Sequence, residues 1–206
     1  MTLQHAAQRD AAAGGRVNRR AAVLVVAAQL FNARGYEATS MRDIALAAGI
    51  KAGSLYHFFA GKDALFAAVY AAGVREIHAA VEGALEAARR RDPWKRLQLA
   101  CEAHLAALLA GTDFASVVVR TLPRPGTRLD AALRAQRDGY EAIFRELVDA
   151  LPLAPRTDHQ LFRLTLLGAL NWSTTWYRPD GRRAPQEIAR RVVGLLRSAR
   201  DKGACE

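Results

Sequence analysis

Apolar residues recur along most of this chain at the three-and-four spacing of an amphipathic helix, and no stretch alternates β-branched with polar residues as a half-buried strand would. Met41, Ile44, Ala45 and Ala48 make one such face. Ser40 stands before it as an N-cap, with Asp43 at the reciprocal capping-box position, so a short helix is predicted there. Gly49 suits the left-handed turn that ends a helix, and a second short helix is expected from about Ala52. In that helix Leu55, Phe58 and Phe59 point inward, leaving Lys51, Gly53, Ser54, Tyr56 and His57 outward. Upstream, Leu24, Ala27, Ala28 and Phe31 form a stripe that packs on Ile44 and Leu55, with Asn18 as cap, Gly35 as stop and Tyr36 tucked beneath.

A long helix is predicted from Asp63 through Leu65, Phe66, Val69, Val74, Ile77 and Val81 toward Arg89, closed by Pro93, with Gly73 and Gly83 softening it. Its start lies beside the helix pair and its end in whatever follows, so it is the expected coupling element. Five further helical patterns come next: Trp94 to Ala110, Asp113 to Thr121, Leu129 to Ala150, Thr157 to Tyr177 and Pro185 to Ala199. Gly- or Pro-bearing breaks separate them. The fold is therefore all-α: a mobile, disordered tail over residues 1–15, a three-helix helix-turn-helix unit over 16–62, and a helical bundle over 63–206 able to enclose a ligand. Leu161 to Trp176 is apolar nearly all round, which calls for cover on several sides. A second copy is the economical cover, with Ile188, Val192, Leu195 and Leu196 completing a four-helix dimer interface.

Charge sharpens the picture. The 206-residue chain carries a formal net charge of +10, which suits a polyanionic partner or a membrane surface. Between Arg16 and Lys62 seven basic residues face two acidic ones, so half the excess lies on the helix-turn-helix unit. Arg19 and Arg20 in the first turns oppose the helix dipole but suit DNA phosphate. No apolar run reaches the roughly 18 residues of a membrane span and no signal peptide opens the chain, so a soluble cytoplasmic protein is expected. Cys101 and Cys205 are too far apart in sequence for a disulfide framework and are read as free thiols.

The segment from Arg19 to Val69, with AAQLFNARGYEATSMRDIALAAGIKAGSLYHFFAGKDALF at its heart, resembles the DNA-binding domain of the TetR family of bacterial transcriptional repressors. The shared landmarks are LF then GY, T-S, I-A-x-x-A-G, L-Y-x-x-F, and a G-K-D where the family usually has S-K-E. Phe58 departs from the pattern, since the family more often has a His or Tyr there that reaches a phosphate. The resemblance implies a homodimer bound to a palindromic double-stranded operator. Its DNA contacts would fall on Ser40, Arg42, Lys51, Ala52, Gly53, Ser54, Tyr56, His57 and Lys62. Further on, NWSTTWYRPDG (Asn171 to Gly181) is similar to an N-W-x-x-x-W-Y-R-P-x-G signature in regulators of fatty-acid, sterol and aromatic-acid catabolism. Many of those respond to acyl-CoA thioesters, so an acyl-CoA or another apolar inducer is implied, with His104, Phe144, Asn171 and Trp172 as candidate ligand residues.

Other chemistries find little support. There is no G-x-S-x-G elbow, no H-E-x-x-H helix, no phosphate-cradling Gly-rich loop and no diagnostic Cys-His spacing, so no enzyme and no cofactor are expected. His78 and His104 lack partners at metal-ligand spacing and read as satisfied bundle histidines. Arg178, Arg182, Arg183, Arg190, Arg191, Arg197 and Arg200 read as a solvated basic face.

Overall fold

A computed structural model describes residues 3–120 and 125–203, with side chains described over 18–120 and 125–198. Among the described residues every regular element is helical: α1 (Leu3–Arg34), α2 (Met41–Ala47), α3 (Ala52–Phe58), α4 (Lys62–Ala87), α5 (Pro93–Leu108), α6 (Asp113–Arg120), α7 (Arg128–Asp149), α8 (His159–Trp172), a 3-10 turn (Ser173–Thr175) and α9 (Pro185–Gly203).

Several boundaries differ from the expected ones, each for a local reason. The backbone is helical from Leu3, not a loose tail over 1–15, and Asn18 lies inside α1 rather than at its cap. Residues 3–13 hold Ala, Gln, Leu and Arg, all strong helix formers. Pro93 does not close α4; it opens α5, at a position where its missing N–H costs nothing. Asp92 caps that start by accepting from the Lys95 N–H at 3.1 Å. The helix expected over Thr157–Tyr177 starts late, behind the Asp158 cap, and gives way early to the 3-10 turn. Ser173, Thr174 and Thr175 each donate a hydroxyl to the carbonyl three residues back, at 2.6, 2.7 and 2.8 Å, which competes with the α-helical ladder.

Two apolar cores result. The first gathers Leu24, Ala27, Ala28 and Phe31 of α1, Ile44 of α2, Leu55 of α3 and Leu65, Phe66, Val69 and Tyr70 of α4. It does not stop at residue 62, for Val117 of α6 and Leu133 of α7 also belong to it. The second begins at Ile77 and Val81 of α4 and holds the inner faces of α5, α7, α8 and α9. Helix α4 thus fills both. Its length and composition also meet those of a membrane span, contrary to the expectation above, and its buried residues are shared between these two cores.

Gly73 is not a softening point in α4. A Cβ there would lie 2.5 Å from the Phe114 carbonyl oxygen and 2.7 Å from Val118 Cγ2, so the glycine is what lets α6 cross α4 closely. At Gly83, by contrast, a Cβ would meet nothing within 4 Å. Gly73→Ala is expected to lower unfolding stability by about 1–3 kcal/mol, whereas Gly83→Ala should leave it unchanged or raise it by up to about 1 kcal/mol. Urea unfolding of both variants reads the contrast, and equal responses would contradict the close-crossing account.

Candidate DNA-binding surface and ligand cavity

The start of α2 and the turn that follows it are held locally. The Asp43 N–H donates to Ser40 Oγ at 3.1 Å, and the Ser40 N–H donates back to the Asp43 carboxylate at 3.0 Å. The Ser40 hydroxyl also donates to that carboxylate at 2.6 Å, so this expected DNA contact is already engaged within its own cap. The hydroxyl and N–H of Ser40 hold the Asp43 carboxyl below its usual range. Gly49 takes the positive φ of 65° that the turn requires. Leu55 is fully buried and Phe59 nearly so, while Phe58, expected inside, is half-buried. Arg42, Lys51, Ala52, Gly53, Ser54, Tyr56 and His57 are all exposed, along α3, its N-cap and the start of α2.

Lys62 is placed differently. Its ammonium donates to the carbonyls of Tyr36 (3.0 Å) and Glu37 (3.4 Å) and lies 4.2 Å from the centre of the Tyr36 ring. Tyr36 in turn packs edge-on against Phe66, stacks on Phe31 and donates its hydroxyl to Asp63. Burial and the Asp63 bond push the Tyr36 phenol well up. Lys62 therefore ties the α1–α2 turn to the start of α4. Arg20, exposed as expected, has its guanidinium 4.9 Å from the centre of the Phe59 ring.

Between α4, α5, α6, α7 and α8 lies a cavity of about 240 Å³. Its apolar wall includes Val74, Ile77, Leu108, Val118, Val119 and Leu167, and its polar members are Tyr70, His104, Arg137, Tyr140, Glu141, Asn171 and Thr174. Asn171 and Arg137 are the exposed members and mark its open side. Of the four expected ligand residues, His104 and Asn171 are brought together here. Phe144 is not in the wall; it packs edge-on behind the His104 and Tyr140 rings, filling core where α7 meets α5. Trp172 is 68% exposed and faces away, because it follows Asn171 by one residue and so points about 100° round the helix. Tyr70, Arg137, Tyr140 and Glu141 were not anticipated. In sequence they are ordinary helix positions, and only the assembly of the helices turns them to a common space.

His104 is buried and hydrogen-bonded on both ring nitrogens, Nδ1 to the Tyr140 hydroxyl at 2.6 Å and Nε2 to Asn171 Oδ1 at 3.0 Å. Burial, opposed in part by the Asn171 bond, pulls it down from 6.5 to about 4, so the ring is neutral and carries one N–H. An amide oxygen only accepts, so that N–H sits on Nε2 and the Tyr140 hydroxyl donates to Nδ1. At the rim Glu141 pairs with Arg163 at 2.8 Å and with Arg137 at 3.9 Å.

Helix α6 joins the cavity to the first core. Val118 and Val119 line the cavity while Val117 packs in the first core. Asn32 of α1 donates to Asp113 Oδ1 at 3.0 Å and accepts from the Arg120 guanidinium at 3.3 Å, so one amide clasps both ends of α6.

Residues 23–69 match the family model for bacterial regulatory proteins of the tetR family, and residues 90–199 match that for the tetracyclin repressor-like C-terminal domain. The chain belongs to the TetR family. Its relatives are transcriptional regulators rather than enzymes. The HTH-type transcriptional repressor KstR2 of Mycobacterium tuberculosis is 27% identical over 195 residues, covering 91% of this chain and 95% of that protein. Among solved structures, the TetR family regulator PfmR from Thermus thermophilus is 30% identical with a TM-score of 0.67, covering 84% of this chain and 96% of that one. AibR, crystallised with isovaleryl coenzyme A and operator DNA, is 26% identical with a TM-score of 0.71, covering 86% of this chain and 97% of that one.

The buried histidine gives this TetR-family protein a measurable pH response. Between about 4 and 6.5 the unfolded chain binds a proton that the folded chain refuses, so stability rises with pH across that window and is lost as pH falls through it. A loss of about 2 kcal/mol is expected on going from pH 7 to pH 5. Unfolding curves at the two values should show it, and His104→Gln should flatten the dependence; an unaltered slope in the variant would place the titration elsewhere.

Proposed function

We propose that this protein is a homodimeric repressor that binds a palindromic operator through α3 and releases it when an acyl-CoA thioester enters the cavity. The observation that carries the reading is one open surface that gathers Lys51, Ser54, Tyr56 and His57 on a short helix whose other face is core. Lys51 supplies a cation, Ser54 and Tyr56 supply hydroxyl donors, and exposed Gly53 permits close approach to a phosphate. Arg42 on α2 extends the same surface. Ser40 and Lys62 act mainly by holding the frame, since their polar groups are bonded within it.

Dimerisation is supported by faces of α8 and α9 that nothing among the described residues covers. Leu161 (61% exposed), Leu164 and Trp172 stand out from α8, and Leu195 (70% exposed) from α9. Ile188, expected at the interface, is instead buried in this chain's own second core. Pairing across α8 and α9 would set two copies of α3 about 34 Å apart, one turn of DNA, and so select a palindrome. For the ligand, a cavity of about 240 Å³ suits the acyl part alone, leaving the coenzyme outside near Arg137. The AibR complex with isovaleryl coenzyme A and operator DNA lends the analogy. A generic hydrophobic inducer would use the same apolar wall but not the charged rim.

Footprinting on DNA flanking the gene should show one protected palindrome, vacated as isovaleryl-CoA but not isovaleric acid is added. Lys51→Ala should weaken binding alike at specific and random DNA and lower the slope of log affinity against log salt by about 1. Diffuse protection, or a slope unchanged in that variant, would contradict the proposed interface.

A further inference from the structure

Among the cavity's polar groups one stands apart. Tyr70 of α4 is only 4% exposed, yet its hydroxyl makes no hydrogen bond among the described residues. It is also not among the buried atoms sealed from solvent, so its open side is the cavity that it lines. No protein group satisfies this hydroxyl among the described residues, so phenylalanine at the same place would give up no hydrogen bond within the protein. The neighbouring phenol shows the contrast: Tyr140 is also buried, and its hydroxyl is committed to His104. Burial pushes the Tyr70 phenol up, so it stays a neutral O–H.

Besides the Arg137 guanidinium at the rim, the cavity holds a further donor in the Asn171 amide nitrogen, which makes no hydrogen bond among the described residues. His104 holds Asn171 Oδ1, and that bond fixes the amide with its NH2 group unpaired. The cavity thus offers an O–H from α4 and an N–H from α8, while Asn171 Oδ1 already accepts from His104 and the Glu141 carboxylate is paired with Arg163.

Resting on the acyl-ligand reading above, we propose that Tyr70 is the specificity-determining residue of the cavity, donating its hydroxyl with Asn171 to the carbonyl oxygen of the bound ligand. A carbonyl oxygen has two lone pairs and can accept from both donors. An alkylamine is an ammonium near neutral pH, and an ammonium of the same shape has no lone pair for either donor to reach. The position of Tyr70 gives this bond a consequence beyond affinity, because its ring belongs to the core shared by α1, α2, α3 and α4. A ligand held by that hydroxyl pulls on the helix whose first residue, Lys62, anchors the α1–α2 turn.

The test compares the wild-type protein with Tyr70→Phe, full length and dimeric, on a labelled operator fragment titrated with isovaleryl-CoA, CoA alone and isopentylamine. Tyr70→Phe should keep the operator affinity and hold or raise the ligand-free Tm, since an unpartnered hydroxyl is removed. The isovaleryl-CoA concentration for half-release should rise roughly three- to tenfold, one hydrogen bond's worth. CoA and isopentylamine should release neither protein. Equal half-release concentrations for the two proteins would overturn the role of Tyr70 while leaving the acyl-CoA reading intact. Release by isopentylamine as effective as by isovaleryl-CoA would overturn the donor pair. No release of the wild type by isovaleryl-CoA would remove this inference together with the inducer reading it rests on.

Discussion

Helix α4 has to satisfy two cores at once, and most of what is particular about this molecule follows from that constraint. Leu65, Phe66, Val69 and Tyr70 are held by the helix-turn-helix unit, Ile77 and Val81 by the bundle. A rigid helix rises 1.5 Å per residue, so the cores cannot shift independently without breaking packing at one end. Apolar packing is dense and resists continuous deformation, and small displacements at Tyr70 are therefore passed to the turn that Lys62 fastens. Helix α6, crossing α4 at Gly73 and clasped by Asn32, is a second brace between the same two bodies.

The polar chemistry of the cavity is arranged around a neutral histidine. Tyr140, His104 and Asn171 form a directed chain in which every hydrogen bond has one assignable donor, and its end is an amide N–H facing open space. A charged imidazole would reverse the bond to Tyr140 while keeping that to Asn171, and burial disfavours it near neutral pH. On the proposed reading the arrangement selects ligands by what they can accept, with charge left to the rim where Arg137 is exposed.

Local signals in the sequence proved readable, and signals that depend on assembly did not. The capping box of Ser40 and Asp43, the left-handed Gly49, the stop at Gly35 and the inward set of Leu24, Ala28, Ile44 and Leu55 all concern neighbours within a few residues or one helix face. Pro93 was ambiguous, because a proline equally ends one helix or begins the next, and only Asp92 before it argues for the second. The run of hydroxyls after Trp172 is a local signal that reads as helix by apolar periodicity and ends it by back-bonding. Gly73 could not be told from Gly83 by sequence, since what distinguishes them is a carbonyl on another helix. The cavity was half legible: His104 and Asn171 stood out as polar residues in apolar surroundings. Nothing in the sequence separates Tyr70 and Tyr140 from core aromatics, and Lys62, expected on DNA, is engaged by the Tyr36 ring and carbonyl, 26 residues away in the chain.

The central claim is that occupancy of the cavity is transmitted through α4 to the spacing of the two α3 helices. Pulsed electron–electron resonance between spin labels at Ala60→Cys, in a dimer whose Cys205 is replaced by Ser, measures that spacing across the twofold axis. The account predicts a narrow distribution with DNA bound, compatible with α3 helices about 34 Å apart, and a shifted distribution when isovaleryl-CoA releases the operator. A distribution that stays the same while the operator is lost would contradict it.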